Sequence, residues 1–135
     1  MKLTAVAIVA IHFVVVVLHS IAHNKLPVEA TPAQLAFILP VIIVAPLVAV
    51  IMLGKFEKAA MVLLTASMLG SLVFGIYYHF IADTIDHVAH VMHREPLFWS
   101  QMFLVTSYLL AITEAAAVAV GLIWLTRQSQ PSTAS

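Results

Sequence analysis

The chain has 135 residues, 63% of them hydrophobic and only 9% charged, with a formal net charge of zero and no cysteine. A soluble domain carries about 25% charged residues, so too little polar surface is left here for water, and lipid must be the solvent over much of the molecule. Zero net charge excludes the basic footprint that nucleic acid demands, and the lack of cysteine excludes disulfides, thiolate metal sites and thiol catalysis.

A membrane-crossing helix needs about 20 mainly apolar residues. Four stretches qualify, at residues 3–22, 33–53, 59–82 and 97–126. They predict an all-α, integral membrane, up-down four-helix bundle over residues 1–127, followed by a disordered tail at 128–135. In the first helix, His12, His19 and His23 are spaced so that all three fall within about 40° of one another at about 100° per residue. They form one stripe, and ionisable groups inside a span usually face the interior of a bundle. Residues 1–22 also have the layout of a signal peptide, with Ser20-Ile21-Ala22 as a small-x-small cleavage site. Cleavage there would leave His23 as the N-terminus, and N-terminal sequencing distinguishes the two readings.

The second helix opens on Thr31-Pro32, a cap followed by proline at the first helical position. Pro40 and Pro46 lie inside it and should kink it, freeing the carbonyls of Ala36 and Ile42 for other partners. The third helix ends in a segment rich in ionisable groups that contains His79, Asp83, Asp86, His87, His90 and His93. If the helix continued past the membrane as an amphipathic extension, His79, Asp83, Asp86, His90 and His93 would share a face; Pro96 stops it before the fourth helix. The fourth helix carries Ser100, Ser107, Glu114 and Gly121 at heptad spacing, a polar and small stripe suited to close packing. Glu114 falls near mid-membrane, where a lone carboxylate is costly, and His12 is the ionisable side chain at comparable depth. The two are a candidate mid-membrane proton or ion pair.

Lysine and arginine placement sets orientation. With four spans, Lys2, Lys55, Lys58 and Arg127 share the side of the termini, against Lys25 and Arg94 on the other. The termini are therefore expected in the cytoplasm of a bacterial or archaeal cell, with the chain in its cytoplasmic membrane. His19 and His23 then close the first helix at the same outer face where His79 and Asp83 close the third. First and third helices lie diagonally across an up-down bundle. Two ligand pairs facing each other there predict a transition-metal site, with His87 and His90 completing the shell and Asp86 orienting an imidazole. Imidazole and carboxylate suit Cu, Zn or Fe.

Three other readings compete. His19 and His79 could be axial ligands of a b-type haem in an electron-transfer subunit, with Gly70 and Gly75 leaving room for the porphyrin. The His19-x-x-x-His23 and His87-x-x-His90-x-x-His93 spacings resemble the histidine boxes of membrane di-iron desaturases and hydroxylases, which implies a metal-dependent membrane oxidoreductase. Those boxes contain adjacent histidine pairs and lie on the cytoplasmic side, and this chain departs from both. The last reading is an accessory or assembly subunit without cofactor, its histidines tuning interfaces. The partners expected are the lipid bilayer and either a larger membrane complex or further copies of the chain.

Overall fold

The computed structural model describes residues 1–128, and every regular element among them is helical. The predicted tail lies outside the described residues, apart from Gln128, which ends the last helix. Four helices are long and apolar enough to cross a membrane: α1 (Lys2–Lys25), α2 (Pro32–Met52), α3 (Glu57–Ile81) and, after the short helix α4 (Val88–Val91), α5 (Leu97–Gln128). Their bounds follow the apolar runs to within three residues at each end, because the hydropathy that selects lipid also selects where the backbone must satisfy its own hydrogen bonds.

The distribution of side chains is the inverse of a soluble protein's. Leu3 and Ile51 are 81% and 80% exposed, whereas His12, Ser100, Thr106, Ser107 and Glu114 are buried. Polar groups therefore occupy the interior and aliphatic ones face outward, as expected where lipid is the surrounding medium. The serine and threonine hydroxyls in this interior donate largely to carbonyls one turn back, such as Thr65 to Met61 and Ser107 to Phe103.

Two groups of contacts mark the ends. At one, Lys2 Nζ lies 2.7 Å from Glu57 Oε2, and the Trp124 indole N–H donates to Glu57 Oε1 at 3.1 Å. Ala5, Val9, Ala49, Leu53, Leu64 and Trp124 belong to the apolar core there. At the other, α1 and α3 meet through His19 and His79, while Ala22, Leu26, Val28, Val91 and Phe103 form a second, smaller apolar cluster.

Two helices depart from regular α geometry. Thr31 and Gln34 form a reciprocal capping box at the start of α2, but residues Ile38–Val44 then widen into a π-helical segment that contains Pro40 and ends two residues before Pro46. Pro46 has no N–H to offer the Ile42 carbonyl, and that oxygen instead lies 3.4 Å from His12 Nε2. The last turn of α3, Tyr77–Ile81, is also π-helical, and the chain becomes extended at Ala82. The predicted amphipathic extension of α3 is therefore not a continuous helix. Thr84 is the physical reason: its hydroxyl reaches back to the Tyr78 carbonyl at 3.4 Å and competes for the helix end. Residues beyond Ala82 turn away, and only the four-residue α4 resumes helical structure before α5.

Candidate metal centre

α1 projects His19 and His23 one turn apart, and the final turn of α3 brings His79 beside them. His19 Nε2 stands 3.2 Å from His79 Nε2 and 3.1 Å from His23 Nε2. These three are a group whose ligand atoms all lie within 4.8 Å of one another, close enough to hold one metal ion. Two nitrogens bound to one tetrahedral ion at about 2.0–2.1 Å stand about 3.3–3.4 Å apart, so the observed spacing needs only a few tenths of an ångström of adjustment. The Phe103 ring, fully buried, packs against all three imidazoles with centroid distances of 4.8, 4.9 and 5.3 Å.

The outward nitrogens determine what the inward ones can do. His23 Nδ1 lies 2.7 Å from the Val28 carbonyl and His79 Nδ1 lies 3.1 Å from the Asp86 carbonyl. A carbonyl only accepts, so both rings must carry their proton on Nδ1. His19 Nδ1 lies 2.8 Å from Thr106 Oγ1, whose own hydroxyl already donates to the Met102 carbonyl at 2.7 Å. A Thr106 hydroxyl engaged in this way has only its lone pairs left for His19, and accepts from Nδ1–H when that ring is in the same tautomer as the other two. In neutral form all three Nε2 atoms are bare lone pairs pointed at one another. Such a set repels itself unless a cation stands between them, and an imidazole held by Nδ1–H to an oxygen is the usual arrangement of a metal ligand.

The remaining predicted ligands stand elsewhere. Asp83 does not join the three histidines, because α3 ends between His79 and Asp83. Its carboxylate is 94% exposed and accepts from His90 Nε2 at 2.6 Å, which holds the Asp83 carboxyl below its usual range. His87 Nδ1 accepts from the Ala89 N–H at 3.1 Å and so caps α4. The Asp86 side chain is buried; its Oδ2 accepts from Gln34 Nε2 at 3.2 Å, while Oδ1 has no partner among the described residues. It orients His79 through its backbone carbonyl rather than through its carboxylate. Of the two glycines proposed to admit a porphyrin, Gly70 packs against Val41 and Phe37, and Gly75 lies beside Glu114.

A cavity of about 470 Å³ is lined by Asn24 and Glu29 near the loop after α1, by the three histidines and Asp86, and by Ser71, Ser107 and Glu114 deeper in. Glu114 accepts a hydrogen bond from the Ser71 hydroxyl, and its Oε1 lies 3.8 Å from His12 Nδ1. Phe103, Thr106 and Ser71 were not legible as site residues, since each is ordinary for a membrane helix. The one signal was phase: Phe103 and Thr106 flank the Ser100, Ser107 and Glu114 stripe.

Burial pushes the Asp86 carboxyl up from its usual range, against the pull of His23, Gln34 and Arg94. Folding therefore favours its protonated form, and the stability of the metal-free protein should decline as pH rises from about 4 through that raised value. Asp86→Asn should relieve this, raising stability at neutral pH by about 1 kcal/mol, while weakening metal binding about tenfold through loss of a neighbouring negative charge. Thermal unfolding of metal-free protein and a metal titration measure the two effects. Loss of both stability and affinity would show that the carboxylate is a structural partner instead.

Comparison of the chain with protein-family profiles, with curated proteins and with solved structures gives no match. The functional reading consequently rests on the chemistry of these residues alone.

Proposed function

We propose that the chain is an up-down four-helix membrane bundle that binds a transition-metal ion through His19, His23 and His79, at the end away from its termini and outside the cytoplasm. The observation that carries this is the pattern of ring contacts: each Nδ1 lies against an oxygen, and His19 Nε2 stands 3.2 Å from His79 Nε2 and 3.1 Å from His23 Nε2, with all three ligand atoms within 4.8 Å of one another. The bundle is supported by the contacts that join Lys2, Glu57 and Trp124 at one end and His19, His79 and Thr106 at the other, together with the outward-facing aliphatic residues. The orientation is supported by the lysine and arginine asymmetry.

Three imidazoles leave a fourth position free on a tetrahedral ion, as in sites that exchange a ligand or act on one. That position suits metal acquisition, delivery to a partner in a larger membrane complex, or a redox centre holding Cu, Zn or Fe. A haem between His19 and His79 is less well supported. Two axial nitrogens stand about 4 Å apart, twice a bond of about 2.0 Å, and His23 Nε2 occupies the space beside them where a porphyrin would pass.

Elemental and optical analysis of purified, untagged protein tests this reading. At least one transition-metal ion per chain and no porphyrin absorption are expected. Protein that stays metal-free after dialysis against Cu, Zn and Fe would defeat it, and a positive pyridine haemochrome would install the haem in its place.

A further inference from the structure

The cavity does not end at the histidines. Thr106 stands level with His19, and Glu114 follows eight residues later on the same helix, about 12 Å deeper at 1.5 Å per residue. Glu114 and Ser71 line the inner part of the cavity. Behind the carboxylate stands His12, 2% exposed, its Nε2 3.4 Å from the Ile42 carbonyl. That carbonyl only accepts, so the proton of His12 is on Nε2 and its Nδ1 is a bare lone pair. Nδ1 has no hydrogen-bond partner among the described residues, yet it faces Glu114 Oε1 across 3.8 Å.

We propose that His12 Nδ1, Glu114 and Ser71 Oγ form a second, inner cation site, which takes the same class of divalent transition metal after it has passed the three histidines. The passage rests on the reading of the histidine centre given above; the inner ligand set stands on its own geometry. A lone-pair nitrogen and a carboxylate oxygen have no proton to share at 3.8 Å, a gap too wide for a direct hydrogen bond. Ligand atoms at about 2.0–2.2 Å from a common ion stand about 3.3–4.3 Å apart as the angle opens from tetrahedral to linear, and the gap falls inside that range. A carboxylate that stays ionised in the middle of a membrane is stabilised by a positive partner, and among the described residues no lysine or arginine bonds to Glu114, so a bound cation would fill that role. The donor set of one imidazole, one carboxylate and a hydroxyl is harder than the outer set of three imidazoles, so the inner site should bind the more weakly to copper and zinc. Below it, Val9, Leu64, Met68 and Ala117 belong to the apolar core and close the route.

Equilibrium dialysis of the untagged full chain against Zn(II), with elemental analysis, tests the proposal. The wild type should hold two ions per chain, one at least tenfold more tightly than the other. His12→Ala and Glu114→Gln should each lose the weaker ion and keep the tighter, whereas His79→Ala should lose the tighter. A wild type that saturates at one ion overturns the inner site without need of any variant. Two ions persisting in both His12→Ala and Glu114→Gln overturn it as well, by placing the second ion elsewhere. Retention of the tight ion in His79→Ala would instead defeat the histidine centre, a separate failure.

Discussion

His79→Ala is expected to lower affinity for the tightly bound metal by more than about 100-fold, since loss of a mere supporting partner of a ligand already costs about 10–100-fold. His79 comes from α3 while the other two imidazoles come from α1, so its removal leaves two ligands on one helix and no bridge between helices. His93→Ala is the matched control. His93 is exposed and outside the cluster, and its replacement should change affinity by less than about twofold, within the spread of surface substitutions. Titration of both variants with Cu(II), followed by the nitrogen couplings in the EPR spectrum, reads the result directly. Three coupled nitrogens are expected in wild type and His93→Ala, and two at most in His79→Ala. Equal effects of the two substitutions would dissolve the ligand assignment.

The second large effect concerns the contact between α3 and α5. A methyl group built on Gly121 would overlap Thr65 Oγ1 and stand 3.0 Å from Thr65 Cβ. The Thr65 hydroxyl donates to the Met61 carbonyl at 2.7 Å and cannot turn aside without breaking that bond. Gly121→Ala should therefore force the helices apart and cost about 1–3 kcal/mol, the usual range for overpacking. The double variant Gly121→Ala with Thr65→Ala should recover part of the loss, because only the tight contact between β-carbons would remain. Thermal unfolding in detergent measures both. An unchanged midpoint in the single variant would mean that the two helices do not approach as closely as described.

Much of this arrangement could be read from residue order, and the reason is regularity. The apolar runs locate the four long helices because lipid permits few other structures. His12, His19 and His23 keep phase because α1 is an unbroken α-helix, and the burial of Ser100, Ser107, Glu114 and Gly121 follows from the same regularity in α5. Reading by helical phase fails where the helix does. Asp83 was expected one turn beyond His79, but the π-helical turn at Tyr77–Ile81 and the extended Ala82 remove the phase relation. His87 and His90 fall on the far side of that break. The oxygens that set the imidazole tautomers are mostly backbone carbonyls, Val28 and Asp86 among them, and a carbonyl leaves no mark in a sequence. The start of α2 shows the intermediate case: Thr31-Pro32 marks it in the sequence, whereas the reciprocal cap by Gln34 and its reach to Asp86 emerge only in the structure, the latter through the loop after α3.

The proline at position 46 has a reach beyond its own helix. Because it lacks an N–H, the Ile42 carbonyl is left for His12, and this decides which nitrogen of that ring keeps its hydrogen. An alanine there would supply the missing donor, close the helix on itself and release the ring to turn over. The chemical character of a buried nitrogen on the first helix is thus written on the second, in an atom that is not there.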